Sequence, residues 1–153
     1  MIEIRGEAGA IFELSQDYRR RLDWDPFLRR AELLGGAVEA GLGVTARCQA
    51  RTGFVMETRY VSFQPPRACA VEMTCGPWFF RSFAGSWRFE PVEPGLTRVS
   101  FAYNLVARPS ALTPLLGQVF AGETTKRLAA LKRAIESATP EGTAAGSSLA
   151  GIS

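Results

Sequence analysis

The spacing of apolar and polar positions changes character twice along the chain. Ile2 and Ile4 alternate with Glu3 and Arg5, the signature of a short strand, and Ile11, Leu14, Ser15 and Tyr18 then recur at helical intervals. A second helical turn, YRRRLDW, stops at Pro26. From Phe27 to Ala107 the pattern becomes short period-two runs. They are divided by Gly35-Gly36, Gly41 to Gly43, Gly53, Gln64-Pro65-Pro66-Arg67, Gly76-Pro77 and Glu93-Pro94-Gly95. This predicts six consecutive strands joined as an antiparallel meander. After Arg108-Pro109, Thr113 is placed as an N-cap with Pro114 at the first helical position, opening a helix to about Ser137. Its apolar stripe is Leu116, Phe120, Thr124, Leu128, Leu131 and Ile135, with Glu123, Lys126, Arg127, Lys132, Arg133 and Glu136 mostly on the other side. At ~1.5 Å per residue the helix is roughly 37 Å long, enough to cross a whole curved sheet.

These elements predict an α+β fold in which one curved antiparallel sheet of about seven strands surrounds one long C-terminal helix, with two short helices after the first strand. Composition agrees: 46% of the 153 residues are hydrophobic and 22% charged, as in one soluble domain with a core of its own. No internal repeat or interior linker is found. The domain is expected over residues 1–138, followed by a flexible tail over 139–153 rich in Gly, Ala, Ser and Thr. No apolar run approaches the roughly 20 residues of a spanning helix. MIEIRGEAGAIFEL lacks the basic start and long apolar stretch of a secretory signal, so no integral membrane contact and a cytoplasmic location are expected.

The chemistry is bounded by what is missing. There is no histidine, which removes His-based triads and nearly all catalytic zinc or non-haem iron sites, so neither metal nor cofactor is expected. Cys48, Cys69 and Cys75 have no CxxC spacing and read as small buried hydrophobes. Net charge is +3, and Lys126 and Lys132 are the only lysines among 18 basic residues. The one dense cluster, Arg19, Arg20 and Arg21 followed by Arg29 and Arg30, reads as a solvated face, and no nucleic-acid motif or phosphate loop accompanies it. No nucleic-acid partner is expected.

The order strand, two short helices, six strands, long helix resembles the helix-grip superfamily of START-like lipid-binding domains, the major birch-pollen allergen and polyketide cyclase/dehydrase proteins. YRRRLDWDPF is similar to that family's helix-to-strand junction, VSFQPPR to its strand-turn-strand with paired prolines, GSWRFEPVEPGLTRV to its penultimate hairpin, and KRLAALKRAIE to the end of its gripping helix. The resemblance implies an internal cavity for a hydrophobic or aromatic ligand. Some relatives cyclise and dehydrate polyketides while others only bind or carry, so the resemblance leaves open whether this chain is an enzyme.

Strand alternation proposes the lining. Between Phe54 and Phe63 the two faces tie in apolar content. Similarity to the family's turn favours Val55, Glu57, Arg59, Val61 and Phe63 inside, over Phe54, Met56, Thr58, Tyr60 and Ser62. The following runs place Cys69, Val71, Met73 and Cys75, then Arg81, Phe83, Gly85, Trp87 and Phe89, then Val99, Phe101, Tyr103 and Leu105 on inward faces. Pairing through the turns aligns Glu57, Cys75 and Arg81 in one row and sets Arg59 beside Met73. Charges inside an aromatic pocket must pair or meet a ligand. Glu57, Arg59 and Arg81 therefore form either an ion cluster with no chemical role or, with Tyr103, a catalytic set in which Glu57 accepts a proton and an arginine stabilises an enolate or holds a carboxylate. Tyr103 is expected to cover Gly85.

In an up-and-down meander the turns at Arg51 to Gly53, Gly76 to Phe79 and Arg108 to Leu112 share one rim, where Trp78 and Phe79 are candidate gate residues. Gly117 and Gly122 soften the first half of the long helix. The expected ligand set is Arg59, Met73, Cys75, Trp78, Arg81, Phe83, Trp87, Phe101, Tyr103, Leu116 and Phe120, around a small hydrophobic, aromatic or polyketide-like molecule in a monomer or weak homodimer. A polyketide cyclase/dehydrase is the enzymatic version. A lipid or quinone carrier and a partner-binding module with a collapsed cavity are the alternatives.

Overall fold

The computed structural model describes residues 1–138; the tail from Thr139 to Ser153, expected to be flexible, lies outside the described residues. In order, the elements are β1 (Ile2–Arg5), α1 (Ala8–Gln16), α2 (Arg21–Trp24), β2 (Leu28–Leu33), β3 (Thr45–Ala50), β4 (Val55–Gln64), β5 (Ala68–Cys75), β6 (Phe80–Glu93), β7 (Leu96–Ala107), a 3-10 turn (Ser110–Leu112) and α3 (Thr113–Ala138). All seven strands form one antiparallel sheet in the order β1-β7-β6-β5-β4-β3-β2. The meander follows its turn chemistry: each strand meets the next in sequence, and β1 closes the edge beside β7. The β6–β7 hairpin turns on Gly95, whose φ of 77° disfavours residues with a Cβ.

The backbone of α3 packs mainly against β1 and β7, at one side of the sheet. Its C-terminal half is pinned there: Lys132 Nζ donates to the Glu3 carbonyl (2.9 Å) and the Arg5 N–H to Glu136 Oε1 (3.1 Å). Leu128, Leu131 and Ile135 descend into a core with Ile4, Ile11, Phe12, Phe89 and Val99. The apolar stripe read from the sequence is the face that is buried. Two details differ. Thr113 is already helical, because its hydroxyl accepts from the Ala107 N–H (3.0 Å) and ties the helix start to the end of β7. Arg127, assigned to the solvated side, is turned inward; it lies seven residues after Phe120 and four before Leu131, on the stripe itself.

Candidate functional site

The middle strands β3 to β6 lie further from the α3 backbone than β1 and β7 do, and the concave side of the sheet is met there chiefly by side chains. Met56 and Thr58 of β4, Val71 and Met73 of β5, and Phe101 and Tyr103 of β7 point into this concavity yet stay half-buried, as do Phe120 and Thr124 on the facing helix. These inward residues keep accessible surface, so their neighbours do not close over them completely. Towards the rim the space is crowded by rings: Phe120 lies 5.4 Å from Phe83, 5.6 Å from Phe80 and 5.8 Å from Tyr103. Leu116 joins this group, while Trp87 belongs to the deeper core, 4.9 Å from Phe101. Of the residues proposed from the sequence, Met73, Phe83, Trp87, Phe101, Tyr103, Leu116 and Phe120 stand on the concave side.

Arg59, Arg81, Glu57 and Cys75 do not. The expected alternation fails at three β-bulges, each of which inserts one residue and reverses the facing of the strand beyond it. On β4, Tyr60 pairs with Val71 but Ser62 with Ala70, so Val61 is the extra residue. Met56, Thr58 and Tyr60 face inward before the bulge and Phe63 after it, while Val55, Arg59 and Val61 are exposed. Arg59 sits opposite Glu72, not Met73. On β6, Phe80 pairs with Ala107 and Ser82 with Val106; Arg81 is the extra residue, so Phe80 and Phe83 both turn in while Arg81 turns out. On β5 the extra residue is Thr74. Cys75 is opposite Glu57, as expected, but both lie on the outer face, where Cys75 is exposed and Glu57 accepts from Arg47 at 2.7 Å. Glu57 thus belongs to an outer ladder, with Arg47 reaching Glu32 at 3.4 Å on its other side.

Tyr103 is opposite Gly85, as the register predicted, but the ring lying over that glycine is Phe101. The Tyr103 hydroxyl instead donates to the Gly117 carbonyl of α3 (2.8 Å).

The charged group inside the grip is one that strand alternation did not find. Arg21, the third residue of the arginine cluster assigned to solvent, is buried. Its Nε donates to Asp25 Oδ2 (2.8 Å) and its Nη1 to the Ser15 carbonyl (2.7 Å), while its guanidinium lies 5.0 Å from the Trp24 ring. Arg127 approaches the same carboxylate oxygen from α3 at 3.0 Å. Asp25 Oδ1 accepts from the Phe27 N–H (3.0 Å). Burial alone would raise the Asp25 carboxyl, but Arg127, Arg21 and that N–H together hold it below the usual carboxylate value. Burial opposes the charge of Arg21, and Asp25 more than restores it. For Arg127, burial lowers the value and neighbouring Arg21 adds to it; Asp25 only partly compensates.

The phenols and thiols nearby are neutral. Tyr18 donates to the Tyr60 hydroxyl (3.3 Å), Tyr60 to Gln16 Oε1 (2.6 Å), and Gln16 to Ser15 Oγ (2.9 Å), so this buried chain is satisfied end to end. Burial pushes the Tyr60 phenol well up, raises the Cys48 thiol and lifts Cys69 to about 12, which rules out a thiolate at Cys69 near neutrality.

The three turns meet at one rim. The Arg108 N–H donates to the Phe79 carbonyl (2.8 Å), and Phe54 stands edge-on to Phe79 with ring centres 4.9 Å apart. Trp78 projects from this rim 77% exposed, so it stands at the mouth and does not line the interior. Two open clefts lie outside the grip. One of about 680 Å³ has Phe12, Tyr18, Leu33, Val38 and Phe63 among its walls. The other, about 1010 Å³, runs between Leu14 and Ile135. Among the described residues no cluster of His, Cys, Asp or Glu could hold a metal, and no helix is long and apolar enough to cross a membrane.

The family model described as "Polyketide cyclase / dehydrase and lipid transport" matches residues 1–136. No curated protein matches the chain. Among solved structures, the Zhui aromatase/cyclase from Streptomyces sp. R1128 superposes with a TM-score of 0.76 at 18% identity, over 88% of this chain and 90% of that one. A START superfamily protein from Mycobacterium smegmatis gives 0.75 at 18% identity, over 90% and 95%. Norcoclaurine synthase from Thalictrum flavum, in complex with dopamine and hydroxybenzaldehyde, gives 0.67 at 13% identity, over 90% and 84%. At these identities the likeness is one of fold: a helix-grip domain.

Proposed function

Because the chain belongs to the polyketide cyclase / dehydrase and lipid transport family, we propose that it binds a small hydrophobic, aromatic or polyketide-like molecule between α3 and the concave face of β3 to β7. The observation that carries this reading is the half-buried lining: Met56, Val71, Met73, Phe101, Tyr103 and Phe120 face one another and are not sealed. Flat, polarisable rings and two flexible thioethers suit a planar guest. Zhui is named an aromatase/cyclase, which supports an aromatic or polyketide-like ligand class. Of the candidate catalytic residues, Glu57, Arg59 and Arg81 lie on the outer face and the Tyr103 hydroxyl is engaged by Gly117, so the reading proposed is binding, with cyclisation as its enzymatic extension.

A lipid or quinone carrier predicts a pocket without paired polar groups and a tunnel open to the rim, and the paired Arg21–Asp25–Arg127 group weighs against it. The packing of Phe80, Phe83 and Phe120 favours a second reading, in which the rings themselves occupy the space and the protein acts as a partner-binding module. Native mass spectrometry of protein purified from its host, followed by extraction of the bound molecule, separates them. A stoichiometric aromatic or polyketide-like compound is expected. A lipid or quinone promotes the carrier, and an empty protein whose melting no hydrophobic probe alters promotes the module.

A further inference from the structure

The buried charges inside the grip do not balance. Arg21 and Arg127 share the single carboxylate of Asp25, which leaves one positive charge in surplus. The two arginines do not share it equally. Arg21 is held by a hydrogen bond to Asp25, a second to the Ser15 carbonyl, and the face of Trp24. Arg127 has one ion pair, from Nε to the shared Asp25 oxygen at 3.0 Å, and that nitrogen is sealed from solvent. No hydrogen bond from its terminal amino groups to the chain is found among the described residues. Its guanidinium lies against Phe27 (4.9 Å) and Phe101 (6.0 Å). Protein surrounds it closely enough for burial to oppose its charge, yet 14% of its side-chain surface stays accessible. The guanidinium is enclosed, shares its one carboxylate with Arg21 and stays partly accessible, and a buried cation whose counter-charge is shared gains from meeting a further anion.

We propose that Arg127 is an anion-binding residue of the concave site, and that the ligand is an aromatic molecule carrying an anionic oxygen, such as a carboxylate or phenolate. The inference rests on the binding reading above and names the ligand class. Arg21 and Asp25 are positioning residues: Arg21 fixes the carboxylate, and the carboxylate fixes Nε of Arg127, leaving the terminal amino groups to fork onto a ligand oxygen. The apolar body of the guest then extends towards the rim along Phe101, Tyr103 and Phe120. Phe120 precedes Arg127 by two helical turns, about 10 Å at ~1.5 Å per residue, which suits two or three fused rings.

The test compares two fluorescent probes of nearly the same shape: 1-anilinonaphthalene-8-sulfonate, which is anionic, and N-phenyl-1-naphthylamine, which is neutral. The wild-type chain is expected to bind the sulfonate at least about tenfold more tightly, the order of a charge-assisted hydrogen bond pair. Arg127→Met is expected to abolish that preference while leaving the neutral probe within about threefold. The variant leaves Asp25 paired with Arg21 and so removes the surplus charge; a urea unfolding curve checks that it is folded. Arg127→Lys, which keeps charge without the fork, is expected to fall between. Equal binding of both probes by the wild type overturns the anion site and leaves the cavity standing, and this needs no variant. A sulfonate preference that survives Arg127→Met in a folded protein also overturns it. Failure of both probes to bind the wild type overturns the cavity reading, and the anion site with it.

Discussion

The two ends of the contact between α3 and the sheet are sealed to different degrees. Around the C-terminal half of α3, Leu131 meets Ile4, Ile11, Phe89 and Val99, and each of these is sealed from solvent. Around the N-terminal half, Leu116 and Phe120 meet Phe80, Phe83, Met73 and Tyr103, and most of that group stays half-buried. Rings occur at both ends at similar spacing, Phe12 lying 5.3 Å from Phe89 in the sealed cluster and Phe83 5.4 Å from Phe120 in the other, but only in the first are they packed among fully buried aliphatic side chains. One end is sealed and the other keeps accessible surface. The Arg21–Asp25–Arg127 group sits at the seam between them.

The largest effect is expected at that seam. Asp25→Asn leaves two buried guanidinium groups without a counter-charge, and a loss of about 3–5 kcal/mol in urea unfolding at neutral pH is expected. The pH dependence has a definite sign. The folded carboxyl titrates below its unfolded value, so its contribution is complete above the ordinary carboxylate range of about 4 and is lost as pH falls through the lower folded value. Wild-type stability should therefore fall on acidification, and Asp25→Asn should flatten that limb. An equally steep limb in the variant places the acid sensitivity elsewhere.

Next comes the contrast between the ends themselves. Leu131→Ala should cost about 2–5 kcal/mol, as at a sealed position whose surroundings cannot collapse, and should leave the relative affinity for a neutral aromatic probe unchanged in the folded fraction. Leu116→Ala, half-buried at the open end, should cost no more than about 1.5 kcal/mol and should change probe affinity. Equal stability losses would erase the distinction between core and site.

Most of the fold was legible because turn residues and apolar periodicity are local. The six-strand meander and the stripe of α3 come from Gly and Pro positions and from i, i+4 spacing. The site was less legible because facing is cumulative: one inserted residue reverses every later residue of its strand. The signals were nonetheless present. Phe80 and Phe83 are an odd number of residues apart within one strand, and the tie between the two faces of β4 is what a mid-strand bulge produces. Arg21 and Asp25 stand at i, i+4, the spacing of a helical ion pair, and Arg127 interrupts an apolar stripe. That these three would meet was not legible, since Arg127 arrives from the far end of the chain.

A smaller effect should sharpen the idea that the open end moves. A Cβ at Gly122 would meet nothing within 4 Å, and the residue is helical. Gly122→Ala should therefore stabilise the protein by about 0.5–1 kcal/mol. If the first half of α3 must flex to admit a guest past Phe120, the same substitution should slow probe association in stopped flow more than it changes equilibrium affinity. Unchanged association places the entrance elsewhere on the rim.

The smallest effect tests the register on which the whole comparison depends. Strict alternation carries Arg59 and Arg81 into the pocket; the bulges at Val61 and Arg81 carry them out, with Arg59 opposite Glu72 and both guanidinium groups exposed. In the first arrangement each is a buried cation, and its loss would change ligand affinity strongly. In the second each is a solvated surface charge, for which replacement changes stability by no more than about 0.5 kcal/mol. Arg59→Leu and Arg81→Leu are therefore expected to unfold within that margin of the wild type and to bind both the anionic and the neutral probe unchanged. A tenfold loss of the sulfonate in either variant would mean that β4 or β6 runs without its bulge in solution, and would return the anion site from Arg127 on the helix to an arginine on the sheet.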